Sequence, residues 1–168
     1  MFNAFKKPMP LAAVVDDLIE MLTRLRTSVD SAAKAERVDQ EPTYSREAGA
    51  FVYVLGLYAV QTSSIRSNDK HRLSAEITGS LSKTTTPGPQ ALPHLRFLQE
   101  RWGAYRQALH HGKGRDDPAK IVFQFMQYLG TDSPNHVAAQ ASLYVLSSEY
   151  VSTLEAFLNK ISKTYKFT

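Results

Sequence analysis

Seven apolar residues near the start of the chain, Leu11, Val15, Leu18, Leu22, Leu25, Val29 and Ala32, follow one another at alternating spacings of four and three. A helix gathers such positions onto one side, whereas a strand would scatter them over both faces. The pattern predicts a helix from Pro10 to about Arg37. Pro10 suits a helix start, where the missing N–H is one of the donors left unpaired anyway. Asp16, Asp17 and Glu20 lie early and Arg24, Arg26, Lys34 and Arg37 late, the order the helix dipole favours. Val14, Ile19 and Met21 widen the stripe. One face of a bundle is the simpler use of this seam. The sharper use is a coiled-coil contact with a second chain, and for it Leu11, Val15, Leu18, Leu22 and Leu25 are the candidate interface residues.

A polar stretch, residues 38–45, separates this seam from Ala48 to Val60, thirteen residues without a charge. The core of that segment, Phe51-Val52-Tyr53-Val54-Leu55-Gly56-Leu57-Tyr58-Ala59-Val60, is rich in β-branched and aromatic residues, so a strand is a real alternative. Its length, its small residues and the flanking helical patterns favour a helix. A helix apolar all round belongs in the middle of a bundle, and Gly56 would mark a close approach of a neighbour.

Four more helices follow by the same reasoning. Ile65, Leu73, Ile77 and Leu81 make a narrow stripe over residues 65–83. Thr84 to Gln90 is the clearest break, a mobile loop or hinge within one helical domain of residues 1–168. Leu92, Leu95, Leu98, Trp102, Tyr105 and Leu109 mark the next helix, closed by His110-His111-Gly112. Asp117-Pro118 and Ser133-Pro134 each read as a cap and first helical residue. They open a short helix (Ile121, Val122, Phe125, Met126, Leu129) and a long last one (Leu143, Leu146, Tyr150, Leu154, Phe157, Ile161, Tyr165). No hairpin signal or repeat interrupts this series. The expected fold is all-α: a bundle of about six helices with residues 48–60 buried at its centre.

Composition narrows the function classes. The 168 residues are 43% hydrophobic and 21% charged, ordinary for a folded domain. The absence of cysteine excludes a disulfide scaffold, a thiolate metal site and a cysteine nucleophile. The apolar run Met9–Val15 meets Asp16-Asp17, too soon for a secretory leader, and no stretch reaches the ~18 apolar residues that span a bilayer. A cytoplasmic location is expected. Phe2, Phe5, Lys6 and Lys7 form an aromatic-basic tip too small to anchor a membrane by itself.

The net charge of +4 is unevenly spread. Residues 61–120 hold ten Lys/Arg against five Asp/Glu, while residues 1–60 hold seven against eight and residues 121–168 three against three. Convergence of Arg66, Lys70, Arg72, Lys113 and Arg115 would form an anion-binding surface suited to nucleic acid. Gly112-Lys113-Gly114-Arg115 has the glycines and cations of a phosphate loop but neither the Walker spacing nor a sheet context.

Arg66 with His71, and Arg106 with His111, each repeat an Arg-x4-His spacing. In helical ribonucleases such a pair divides the work, Arg holding the phosphate and His moving the proton. Ten arginines and five histidines make about one such hit by chance, so the spacing is a weak signal. His110 and His111 diverge by about 100° on a helix and do not chelate one ion. Neither Glu-x-x-His, His-Glu-x-x-His nor Gly-x-Ser-x-Gly occurs, and no metal or cofactor is expected. Asp16-Asp17 and Asp116-Asp117 sit at helix starts, where capping explains them.

Two readings follow. The first is a non-enzymatic interaction or scaffold module whose partner is itself or another protein, joined through apolar helix faces. The alternative is a nucleic-acid-binding helical protein with ribonuclease activity through an Arg-x4-His pair.

Overall fold

The α1 seam packs inward. In the computed structural model, which describes residues 6–40, 43–85, 91–110, 118–130 and 136–168, α1 spans Leu11–Ala35 and buries Leu11, Val14, Val15, Leu18, Leu22, Leu25, Val29 and Ala33. These side chains meet α2 (Tyr44–Thr62), α3 (Ser67–Thr85) and α6 (Val137–Thr164) of the same chain. The stripe ends on Ala33 rather than Ala32. A straight helix of 3.6 residues per turn drifts by about 20° per heptad, so after three heptads the buried position moves on by one residue. An untwisted bundle helix shows this drift, whereas a supercoiled pair would have held the strict repeat. Arg37, in the left-handed region (φ 56°), takes the chain out of α1, and a 3-10 turn over Val38–Gln40 leads to α2.

Helix α2 is the axis of the bundle. It contacts all five other helices, and from Ala50 to Val60 every residue is buried. Its near-uniform apolar surface needs neighbours on every side, which α1, α3, α4 (Ala91–His110), α5 (Pro118–Tyr128) and α6 supply. Gly56 faces Leu22, and a Cβ on Gly56 would stand 2.9 Å from both Leu22 methyl carbons. The missing side chain lets α1 and α2 approach. Phe51 stacks on Phe125 of α5 at 4.5 Å, and the Tyr53 hydroxyl meets Thr78 Oγ1 of α3 at 2.9 Å.

The outer helices keep their predicted positions with shifted stripes. In α4 Phe97 is buried while Leu95 is only half-buried. In α6 the buried line is Ala139, Leu143, Ser147, Val151, Leu154, Leu158 and Ile161. Leu146, Tyr150 and Phe157 lie at its margin, while Tyr165, expected on the same helical stripe, falls just past the end of α6. The expected break at 84–90 begins later, since Thr84 and Thr85 are still helical; residues 86–90 lie outside the described residues. The helices on either side of it, α3 and α4, pack together.

The two ends of the described chain meet in a feature the sequence reading did not anticipate. β1 (Lys7–Met9) pairs in parallel with β2 (Tyr165–Phe167), in the register Lys7 with Tyr165, Pro8 with Lys166 and Met9 with Phe167. The Leu11 N–H donates to the Thr168 carbonyl and the Thr168 N–H to the Met9 carbonyl, both at 3.1 Å. Phe167 is buried against the core and pins the pair down. We call this pairing the terminal clip.

Candidate functional site

The turn between α2 and α3 lies beside the end of α6. Ser64 donates both its N–H and its hydroxyl to Asn159 Oδ1 at 2.7 Å, and the Thr62 hydroxyl donates to the Glu155 carboxylate. The Lys70 ammonium donates to the Gln61 carbonyl at 2.6 Å. That bond satisfies one of the carbonyls left open by the end of α2.

Arg66 then stands immediately before α3, and Asp69 in its first turn. The Asp69 carboxylate is buried, 7% exposed, at the helix end where a negative charge is stabilised. It accepts a bond from Arg66 Nε at 2.8 Å and faces Arg72 Nη1 at 3.9 Å. The guanidiniums remain 67% and 49% exposed, so the carboxylate orients them without enclosing them.

The terminal clip brings three lysines to the same place. Lys6, whose ammonium donates to the Ser162 carbonyl, Lys163 and Lys166 line a cleft of about 670 Å³ together with Ser64, Arg66 and Tyr165. Ile65 and Phe167 form its apolar floor. A second lobe of about 550 Å³ continues over the start of α3, where Ser67, Asn68 and Arg72 join the wall. Arg66, Asp69, Lys166 and Phe167 belong to both lobes. Five cations thus line the two lobes, two of them, Arg66 and Arg72, facing the buried Asp69 carboxylate, and the start of α3 adds to the positive potential. Such a surface attracts anions, and its guanidiniums can hold a phosphate by two bonds at once.

The predicted residues divide. Arg66 and Arg72 do converge. Lys70 does not line either lobe, because its ammonium closes α2. His71 is exposed on α3 and lines neither lobe, whereas Arg66, just before that helix, is bound to Asp69. Arg106 is exposed, its guanidinium 5.9 Å from the Trp102 ring centre. His111, Lys113 and Arg115 lie outside the described residues, as do Phe2 and Phe5.

The proposed interface residues are corrected. Leu11, Val15, Leu18, Leu22 and Leu25 are 8% exposed or less within the single chain, because α2 and α6 cover the seam that a second chain was expected to cover. Lys6, Lys163 and Lys166 were missed. No spacing in the sequence joins Lys6, at one end of the chain, to Lys163 and Lys166 at the other.

Two other features stand apart from the cleft. Glu47, buried in α2, is bound by Arg101 of α4, which removes Arg101 from the cations available to a ligand. Phe123, Val137, Tyr144 and Val145 are the large apolar side chains left exposed among the described residues, at 51%, 60%, 41% and 55%. No group of three or more metal-ligating side chains and no helix long and apolar enough to cross a membrane occurs among the described residues.

The fold and the cleft together define an all-helical bundle with a basic, two-lobed groove at its clipped ends. Comparison of the chain with known protein families, curated proteins and solved structures finds no match.

Proposed function

We propose that this chain is a binding module for phosphate-rich partners, nucleic acid foremost, and acts by holding rather than cleaving them. The observation that carries this reading is the convergence of Lys6, Arg66, Arg72, Lys163 and Lys166, from three separate chain segments, on one continuous cleft. Scattered solvated charges have no reason to share a groove with a helix start. Reading the module as a binder rather than a nuclease rests on His71, which stands away from that groove.

Fluorescence anisotropy with labelled RNA and DNA at low and moderate salt tests it. Each neutralised phosphate of a single strand contributes about −0.7 to the slope of log K against log salt, so five contacts give about −3.5. The double substitution Arg66→Ala with Lys166→Ala reduces that slope by about 1.4. No binding at low salt removes the proposal.

A second reading, a self-associating interaction module, is favoured by one observation: Phe123 on α5 and Val137, Tyr144 and Val145 on α6 are exposed, and residues 137–148 carry no charge. Contacts there would bury apolar surface at about 25 cal/mol per Å², less the cost of association. Light scattering across a concentration series decides it. Self-association weakened by Val145→Lys supports this reading, and a strict monomer at every concentration rejects it.

A further inference from the structure

Resting on the reading of the cleft as a nucleic-acid site, we infer that its ligand is a single strand, with backbone phosphates running across both lobes and one base set against Tyr165. The cleft has more than a lone anion needs. Its cations are spread along it: Lys6 and Lys163 on the first lobe, Arg66 and Lys166 where the lobes join, Arg72 on the second. A ligand that uses all of them carries several negative charges in a row on a backbone able to bend.

The wall between these cations is mixed: Ser64, Ser162 and Asp69 line the first lobe together with apolar side chains. Ile65 and Phe167 are each 5% exposed and form an apolar floor. Tyr165 is half-buried, packed on the core while also lining the first lobe. Phosphate alone gains nothing from an aromatic ring, whereas an unpaired base gains a stacking partner.

Shape separates the single strand from the duplex. Readers of double-stranded DNA push a helix or a strand ribbon outward into a groove. Here the helix start lies in a shallow cleft, with Asp69 buried in its wall and the Arg66 and Arg72 side chains exposed along it. The bases of a duplex, stacked on each other, cannot turn toward Tyr165. Those of a single strand can.

The test is a titration of the full chain at low salt with a labelled 12-nucleotide strand, as RNA and as DNA, and with each strand annealed to its complement. Inorganic polyphosphate serves as competitor. The single strands bind at least tenfold tighter than the duplexes. Tyr165→Leu, which keeps apolar bulk under the clip, weakens single-strand binding about 5- to 150-fold, the range for loss of one stacked base. Tyr165→Phe stays within about twofold. Circular dichroism confirms that both variants keep the helical content of the parent. Equal binding of strand and duplex overturns the inference while leaving the cleft a nucleic-acid site. Unchanged binding by Tyr165→Leu, or polyphosphate that competes as well per phosphate as the strand itself, does the same for the stacked base. Failure of every probe to bind overturns the underlying reading as well.

Discussion

The Arg101 guanidinium of α4 grips the Glu47 carboxylate of α2 through two bonds, Nε to Oε2 at 2.9 Å and Nη2 to Oε1 at 2.6 Å. The carboxylate side chain is 5% exposed and the guanidinium 26%. Burial works against the charged guanidinium, but the bonds and charge of Glu47 outweigh it and raise the Arg101 pKa. The guanidinium also lies 3.7 Å from the centre of the Tyr128 ring. One ion pair therefore joins α2 and α4 and touches an aromatic ring of α5.

Removing one partner strands the other in the interior. Glu47→Gln or Arg101→Met alone is expected to cost about 3 kcal/mol in urea-induced unfolding. Glu47→Leu combined with Arg101→Met recovers most of that loss, since two apolar side chains leave no unpaired charge. A double variant as unstable as the sum of its parts would count against this account.

Tyr105 is fully buried, and its hydroxyl has no hydrogen-bond partner among the described residues. Burial, followed by the charge of Glu47, pushes its pKa far up, so the ring stays neutral. Tyr105→Phe should leave stability unchanged or raise it by about 1 kcal/mol. Tyr53→Phe, which loses the bond to Thr78, should lower it by about 1 kcal/mol. Thermal melts of the two variants separate these opposite signs.

The contact of Gly56 with Leu22 predicts a coupled pair. Gly56→Ala forces a methyl into the Leu22 side chain at 2.9 Å and is expected to cost about 1–2 kcal/mol. Leu22→Ala alone opens a cavity and costs about 2–5 kcal/mol. Together they cost clearly less than the sum, because each makes room for the other, and a double-mutant cycle reads the difference.

His94 gives stability a pH dependence. Burial first, and the Arg46 charge second, lower its pKa below the ordinary value of 6.5. Between that lowered value and 6.5 the unfolded chain holds more protons than the folded one, so stability rises with pH across this interval. It falls as pH drops below about 6.5. His94→Gln flattens this slope without shifting the plateau above pH 7, as denaturant midpoints across a pH series would show.

If the cleft binds nucleic acid as proposed, the terminal clip links stability to binding. A chain ending at Thr164 loses β2, its Phe167 anchor and the Lys166 ammonium. It should keep its helical circular dichroism, because the helices pack on α2, and lose most of its affinity for nucleic acid. Retained affinity would show that the cleft does not depend on the clip.

Periodicity is a local property of the chain, and the helices follow from it. The seam from Leu11, the uncharged run from Ala48 and the apolar stripes of the later segments place the helices because each depends on residues three or four apart; the caps read at Asp117 and Ser133-Pro134 lie outside the described residues. The central position of α2 was legible too, since no amphipathic site could hold a helix apolar all round. Partnership was not. The Leu11–Leu25 stripe has the same spacing whether a neighbouring helix of its own chain or a second chain covers it.

The cleft required the folded chain. Lys6 and Ser162 lie 156 residues apart in sequence and meet through one hydrogen bond, and a parallel pairing of distant segments leaves no turn signal to read. The sequence located an excess of positive charge in the middle of the chain. Packing then divided it, turning Lys70 to close a helix and Arg101 to neutralise Glu47, and joined Arg66 and Arg72 to lysines from both ends. A side chain's charge is written in its residue type, but what that charge faces is set by contacts between elements far apart along the backbone.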